Sequence, residues 1–209
     1  MQQAAIVRDA TAMFRQGLLD LFADVGLGEL CPEQFAGLIR GLKAVSSQAL
    51  LAAFIPWVES CDDTEVLLHR GGKRYRFKEA TKKAWLTPFG LAEVTRRYYQ
   101  QDTGGQGVIP VDEACGMVDH YCTPDVEQMV AFSAALMVPR EVETLLGMAL
   151  PHGPSTTAIG RVVRDMGRFV GSPAHSRRHY AAPCLRSMPQ QQSLIMAMNP
   201  ATVANPKAL

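Results

Sequence analysis

The apolar residues of this chain change their spacing twice, from a helical repeat to a two-residue repeat near residue 72, and back to a helical one after Pro110. A chain patterned in this way fits neither an all-helical bundle nor an all-β sandwich. The expected fold class is mainly α with a small antiparallel β meander, set between a helical N-terminal unit and a trihelical helix-turn-helix unit.

Before the first change, Ile6, Met13, Phe14, Leu18, Leu21 and Phe22 recur at helical spacing, and Gly26 and Gly28 stop the pattern. Pro32 opens a second helix carrying Phe35, Leu38, Ile39 and Leu42, and Ser46 or Ser47 is placed to cap a third through Leu50, Leu51, Phe54 and Ile55. These stripes read as core or as a dimer face rather than as a ligand site. In Lys73-Arg74-Tyr75-Arg76-Phe77-Lys78 cations alternate with aromatic rings, as a strand with one wet face requires. Lys83 to Thr87 and Leu91 to Tyr99 supply two further strands about the turn Pro88-Phe89-Gly90. Beyond Pro110, Thr123 and Pro124 start a helix with the stripe Val126, Met129, Val130, Ala134 and Met137. Pro139 starts a second, with Val138, Val142, Leu145, Leu146 and Ala149. Ser155 caps a third, with Ile159, Val162, Val163 and Met166 turned inward. Periodicity is lost beyond Val170, where Ser193 to Ala197 has the pattern of one short strand. The domains read as 1–69 helical, 70–111 a small basic β unit, 112–170 helix-turn-helix, and 171–209 a linker.

Composition narrows the class. Apolar residues make up 47% of 209, enough for a packed core, which excludes a disordered tail. Five cysteines, an odd number with no C-x-x-C pair, fit neither a disulfide framework nor a zinc ribbon. A reducing cytoplasm is the simplest compartment. The apolar run Ala49 to Val58 is too short to span a bilayer, and a soluble protein is expected. The net charge of +1 conceals blocks: 4 basic and 9 acidic residues over 1–69, 9 and 2 over 70–97, none and 6 over 98–139, and 8 and 3 over 140–209.

Two constellations fall in the basic blocks. Thr157, Arg161, Arg164 and Arg168 share the outward face of the helix over 155–168. A helix that reads the major groove needs such a face, since arginine donates two hydrogen bonds to guanine while its neighbours neutralise phosphates. An ordinary solvated helix face has the same appearance. Arg74, Arg76 and Lys78, supplemented by Lys82 and Lys83, project from a strand at a spacing of about 7 Å, close to that of phosphates along one DNA strand. Lysines that protect a sheet edge are the rival explanation. Gly104-Gly105-Gln106-Gly107 lacks the Lys-Ser/Thr of a phosphate loop. Neither a Gly-x-Ser-x-Gly nor a paired Cys-His signature occurs, and His120 with Cys115 and Cys122 reads as packing rather than as a metal site. No cofactor is expected.

The segment from Tyr98 to Arg168, with Lys73-Arg74-Tyr75, Leu86-Thr87-Pro88-Phe89-Gly90 and the Pro-x-Asp-Glu-x-x-Gly of Pro110 to Gly116, resembles the part that precedes the catalytic domain in ISKra-type insertion-sequence transposases. That resemblance implies a ribbon-like β unit and a helix-turn-helix ahead of an RNase H-like domain whose acidic residues hold two metal ions. Many relatives carry a C-x-x-C pair where this chain has Gln101-Asp102-Thr103-Gly104, so a zinc site does not follow. Ser193 to Val203 resembles the first catalytic strand, with Asn199-Pro200 in place of Asp-Gly.

The resulting expectation is a truncated, catalytically inactive transposase-like protein that binds double-stranded DNA at insertion-sequence ends, alone, as a homodimer or in mixed dimers with the full-length enzyme. It would lie in the bacterial cytoplasm, on the nucleoid when bound. A helical protein-interaction module, or a remnant with no DNA role, is the alternative. Two-metal phosphoryl transfer requires several converging carboxylates. The purified chain and its Asn199→Asp variant are therefore both expected to leave end-containing DNA uncut in Mg²⁺ or Mn²⁺; nicking lost on mutating Asp112, Glu113 or Asp119 would contradict this.

Overall fold

In the computed structural model, the described residues are 2–25, 31–105 and 107–170. Contacts divide the chain into Met1–Arg177 and Arg178–Leu209, and everything below concerns the first unit. The strand expected over Ser193 to Ala197 lies outside the described residues.

The fold is mixed: six helices and one three-stranded antiparallel sheet among the described residues. Helices α1 (Gln2–Val25) and α2 (Pro32–Ser60) form an antiparallel hairpin. Instead of the two helices expected over 32–55, α2 is a single helix that runs through Ser46-Ser47 and carries Pro56 near its end. A proline inside a helix costs about 3 kcal/mol. Here the surrounding turns are held by packing of Leu51, Phe54, Ile55 and Val58 against the sheet. By length and composition alone α2 passes as a membrane span, with a mean hydropathy of 1.4 over 18 residues. One side of its second half packs on the sheet through Leu51, Phe54, Ile55 and Val58, although Ala49 and Val58 are the buried residues of the helix.

The sheet has the order β1 (Leu67–Arg70), β2 (Lys73–Thr87), β3 (Gly90–Gln101). The two segments expected at Lys73 to Lys78 and Lys83 to Thr87 are one 15-residue strand, and the third member of the meander is β1. Gly71 and Gly72, both at positive φ, make the two-residue turn between Arg70 and Lys73. Leu67 to Arg70 thus belongs to the sheet, and the boundary expected at residue 69 does not separate two cores.

Adjacent residues at the end of β2 enter different cores. Trp85 packs with Val58, Ala92, Val94, Val111 and Met117. Leu86, on the opposite face, packs with Cys122, Val126, Val130, Val142, Leu146, Leu150, Ile159 and Val162. The second set is the interior of α4 (Pro124–Ala134), α5 (Pro139–Ala149) and α6 (Thr156–Val170). The Leu86 N–H donates to the Tyr121 carbonyl, and the Thr123 N–H donates to the Leu86 carbonyl, so the segment before α4 is tied to the strand by its backbone. Between α5 and α6, Gly153 lies against the backbone of Gly147, where a Cβ would come within 2.8 Å of its Cα.

Helix caps follow the sequence in part. Ser155 Oγ accepts from the Ala158 N–H as expected. Thr123 stands at the start of α4, but its Oγ is buried without a partner and caps nothing. Of the expected inward stripes, Val126, Val130, Val142, Leu146, Ile159 and Val162 are buried, while Met129, Met137, Val138, Leu145, Ala149 and Val163 are exposed.

The short α3 (Pro110–Cys115) explains Pro-x-Asp-Glu-x-x-Gly in structural terms. Pro110 occupies the first helical position, and Gly116 ends the helix at a φ of 68°. Glu113 pairs with Arg70 on β1. Asp112 is buried against Arg96 of β3 and Lys83 of β2, with Lys83 Nζ 3.4 Å away. Asp112 therefore lies in the interior and not at the surface. Burial pushes its carboxyl above the usual carboxylate range, against the pull of Arg96 and Lys83. Removing the carboxyl leaves two enclosed cations without a counter-charge, so Asp112→Ala is expected to cost about 3–5 kcal/mol in urea unfolding. Asp112→Asn, which also removes the charge but keeps the side-chain volume and an oxygen acceptor for Arg96 and Lys83, is expected to cost less. An equal loss in the two variants would contradict this arrangement.

Candidate nucleic-acid interface

Two sets of residues were expected to meet DNA, and they stand in very different electrostatic surroundings. On β2 the pairing slips by one residue at Lys78: Phe77 faces Tyr99, and Glu79 faces Tyr98. Because side chains alternate along a strand, one extra residue exchanges the two faces. Arg76 stands opposite Gln100 while Lys82 stands opposite Thr95, on the other face of β3. The single basic face expected from Arg74 to Lys83 is therefore split.

Its members also have partners of opposite charge. Asp102 lies 3.3 Å from Arg74 and 3.8 Å from Arg76. Lys82 bonds Glu93 at 2.7 Å. Lys83 is largely enclosed, and besides Asp112 its ammonium donates to the carbonyls of Met117 at 2.5 Å and Val118 at 3.3 Å. Its ammonium is engaged by internal partners. Lys78, at the slip, is exposed.

In the helical set, the described members share one exposed side of α6, while Val163, expected inward, is exposed as well. Ile159 and Val162 are buried in the trihelical core, and Thr157, Arg161 and Arg164 are exposed on the other side of α6. Among the described residues no ion pair engages Arg161 or Arg164. Arg168 falls within α6, but its side chain, like that of Met166, lies outside the described residues.

Thr157 and Arg161 also line a cavity of about 140 Å³, with Asp119, His120, Glu127 and Asp165 among its other walls. His120 Nδ1 meets Glu127 Oε1 at 2.5 Å. This pairing was not foreseen, because seven residues separate the two across a helix start and no local motif marks them. His120 is thus committed to α4 and not to the cysteines. No group of three or more potential metal ligands occurs among the described residues.

Comparison with protein-family models, curated proteins and solved structures finds no match to this chain.

The cysteines divide by burial. Cys122 is fully enclosed in the trihelical core, which pushes its thiol up to about 12, whereas Cys31 and Cys61 are exposed. Since thiolate is the reactive form, iodoacetamide at pH 8 is expected to label Cys31 and Cys61 in the native protein and Cys122 only after denaturation. Native-state labelling of Cys122 at the rate of Cys31 would contradict its placement.

Proposed function

We propose that this chain is a transposase-like DNA-binding protein, with α4, α5 and α6 acting as a helix-turn-helix unit and α6 as the helix that enters the major groove. The observation that carries the reading is the contrast in charge compensation. Arg161 and Arg164 stand exposed on one helix face and form no ion pair among the described residues, although Arg161 shares a cavity wall with Asp119, Glu127 and Asp165, while Arg74, Arg76, Lys82 and Lys83 each pair with a carboxylate. Exposed guanidinium groups at a helical step of three suit bidentate contacts to guanine and contacts to phosphate.

In this reading Arg161 and Arg164 contact bases or phosphates, and Thr157, near the helix start, donates its hydroxyl to a phosphate. Arg168 would extend the same face. Arg74, Arg76 and Lys78 take at most an auxiliary backbone role, weakened by Asp102. The natural ligand in this proposal is the end of an insertion sequence, bound in the cytoplasm without a cofactor.

A protein-interaction role is favoured by another observation: Phe132 and Leu136, on and just after α4, are 71% and 68% exposed. Binding measurements separate the two roles. Against the best duplex recovered from a randomised pool, Arg161→Ala and Arg164→Ala are each expected to lose about 1–3 kcal/mol, and less against random duplex. If both variants bind the selected duplex as wild type does, α6 is not the reading helix.

A further inference from the structure

The α1/α2 hairpin is a two-helix layer whose apolar side has no cover among the described residues. Its two helices meet through Gly17 against Val45 and Gly41 against Leu21, close approaches that fix their register. Wound at 3.6 residues per turn from those anchors, Val7, Phe14 and Phe22 of α1 fall on the same side of the hairpin as Phe35, Ile39 and Trp57 of α2. All six are exposed, Phe22 at 53% and Phe35 at 55%. Together they leave uncovered on the order of 500–700 Å² of apolar surface, at about 150–250 Å² for a large side chain. That is at or above the upper end of what a monomeric protein usually presents in one patch.

We infer that this side of the hairpin pairs with the same side of a second copy, related by a two-fold axis, to make a four-helix bundle. Three observations choose a second copy over other occupants. With Thr11, Ser46 and Ala53 between the large residues, the face approaches the ~800 Å² that each partner buries in a stable interface. The stripe holds one charged residue, Arg15 at the outer edge of α1, so a two-fold axis, which sets a surface against itself, brings mainly apolar surface together. A lipid surface fits poorly. Residues 1–69 carry 9 acidic and 4 basic side chains, and an anionic bilayer repels such a unit. Nor is α2 available to cross a membrane, because Lys43 donates to the carbonyls of Met148 and Ala149, and Leu51, Phe54, Ile55 and Val58 pack on the sheet side. The inference does not rest on DNA binding.

Light scattering on the full chain at 50 µM is expected to give twice the 22.8 kDa of one copy. The double variant Phe22→Glu/Phe35→Glu is expected to give one copy with an unchanged helical circular dichroism spectrum. A monomeric wild type overturns the inference, and so does a dimer that the folded double variant retains. Should the double variant lose its helical signal, a photo-reactive benzoylphenylalanine at position 14 decides. Cross-links to α1 or α2 of another copy support the bundle, and cross-links elsewhere, or none, reject it. Co-sedimentation of a monomeric wild type with phosphatidylcholine vesicles would give the face to lipid instead.

Discussion

The dipeptide Trp85-Leu86 is the point on which the rest of the structure depends. Neighbouring residues of a strand point to opposite faces, and here both faces are filled. Trp85 anchors the core between the sheet, α2 and α3, and Leu86 enters the core of the three C-terminal helices. The Leu86 backbone bonds to Tyr121 and Thr123 occupy the strand edge at that level. A short stretch of strand thereby fixes where α4 begins, and through Val126, Ile159 and Val162 it fixes which face of α6 is turned inward. The exposure of Arg161 and Arg164 is the other side of that packing.

The same sheet shows how charge is spent inside the molecule rather than at its surface. Lys83 and Arg96 converge on Asp112, Arg70 meets Glu113, and Asp102 serves both Arg74 and Arg76. The strongly basic block at 70–97 is thus answered largely by the acidic block that follows it. A block-by-block charge count suggests a polyanion partner for the strand, but the geometry shows the two blocks meeting each other. Arg161 and Arg164 of α6 form no ion pair among the described residues, and the proposed DNA role rests on them.

Where local chemistry determined the outcome, the sequence was sufficient. The helical stripes at Val126, Val142 and Ile159, the serine cap of α6 and the Pro88-Phe89 turn all follow from spacing and residue type. Gly71-Gly72 carried a hairpin signal as well, two glycines between runs of strand formers, and it marks β1. Other features had no local signal. The slip at Lys78 depends on what both strands bury, the enclosure of Asp112 depends on residues 16 and 29 positions away, and the pairing of His120 with Glu127 spans a helix start. Charged residues read as surface unless a partner in space is known, which is why Lys83 was placed with the DNA-facing group.

The central claim is that the surface charge of α6 meets a nucleic acid backbone. Its most direct test is the salt dependence of duplex binding by the full chain, followed by fluorescence anisotropy between 50 and 300 mM salt. Each phosphate neutralised contributes about 0.9 to the slope of log K against log salt. The account predicts a linear fall with a slope of about −2 or steeper. Binding that is undetectable at the lowest salt, or that does not change across the series, would contradict it.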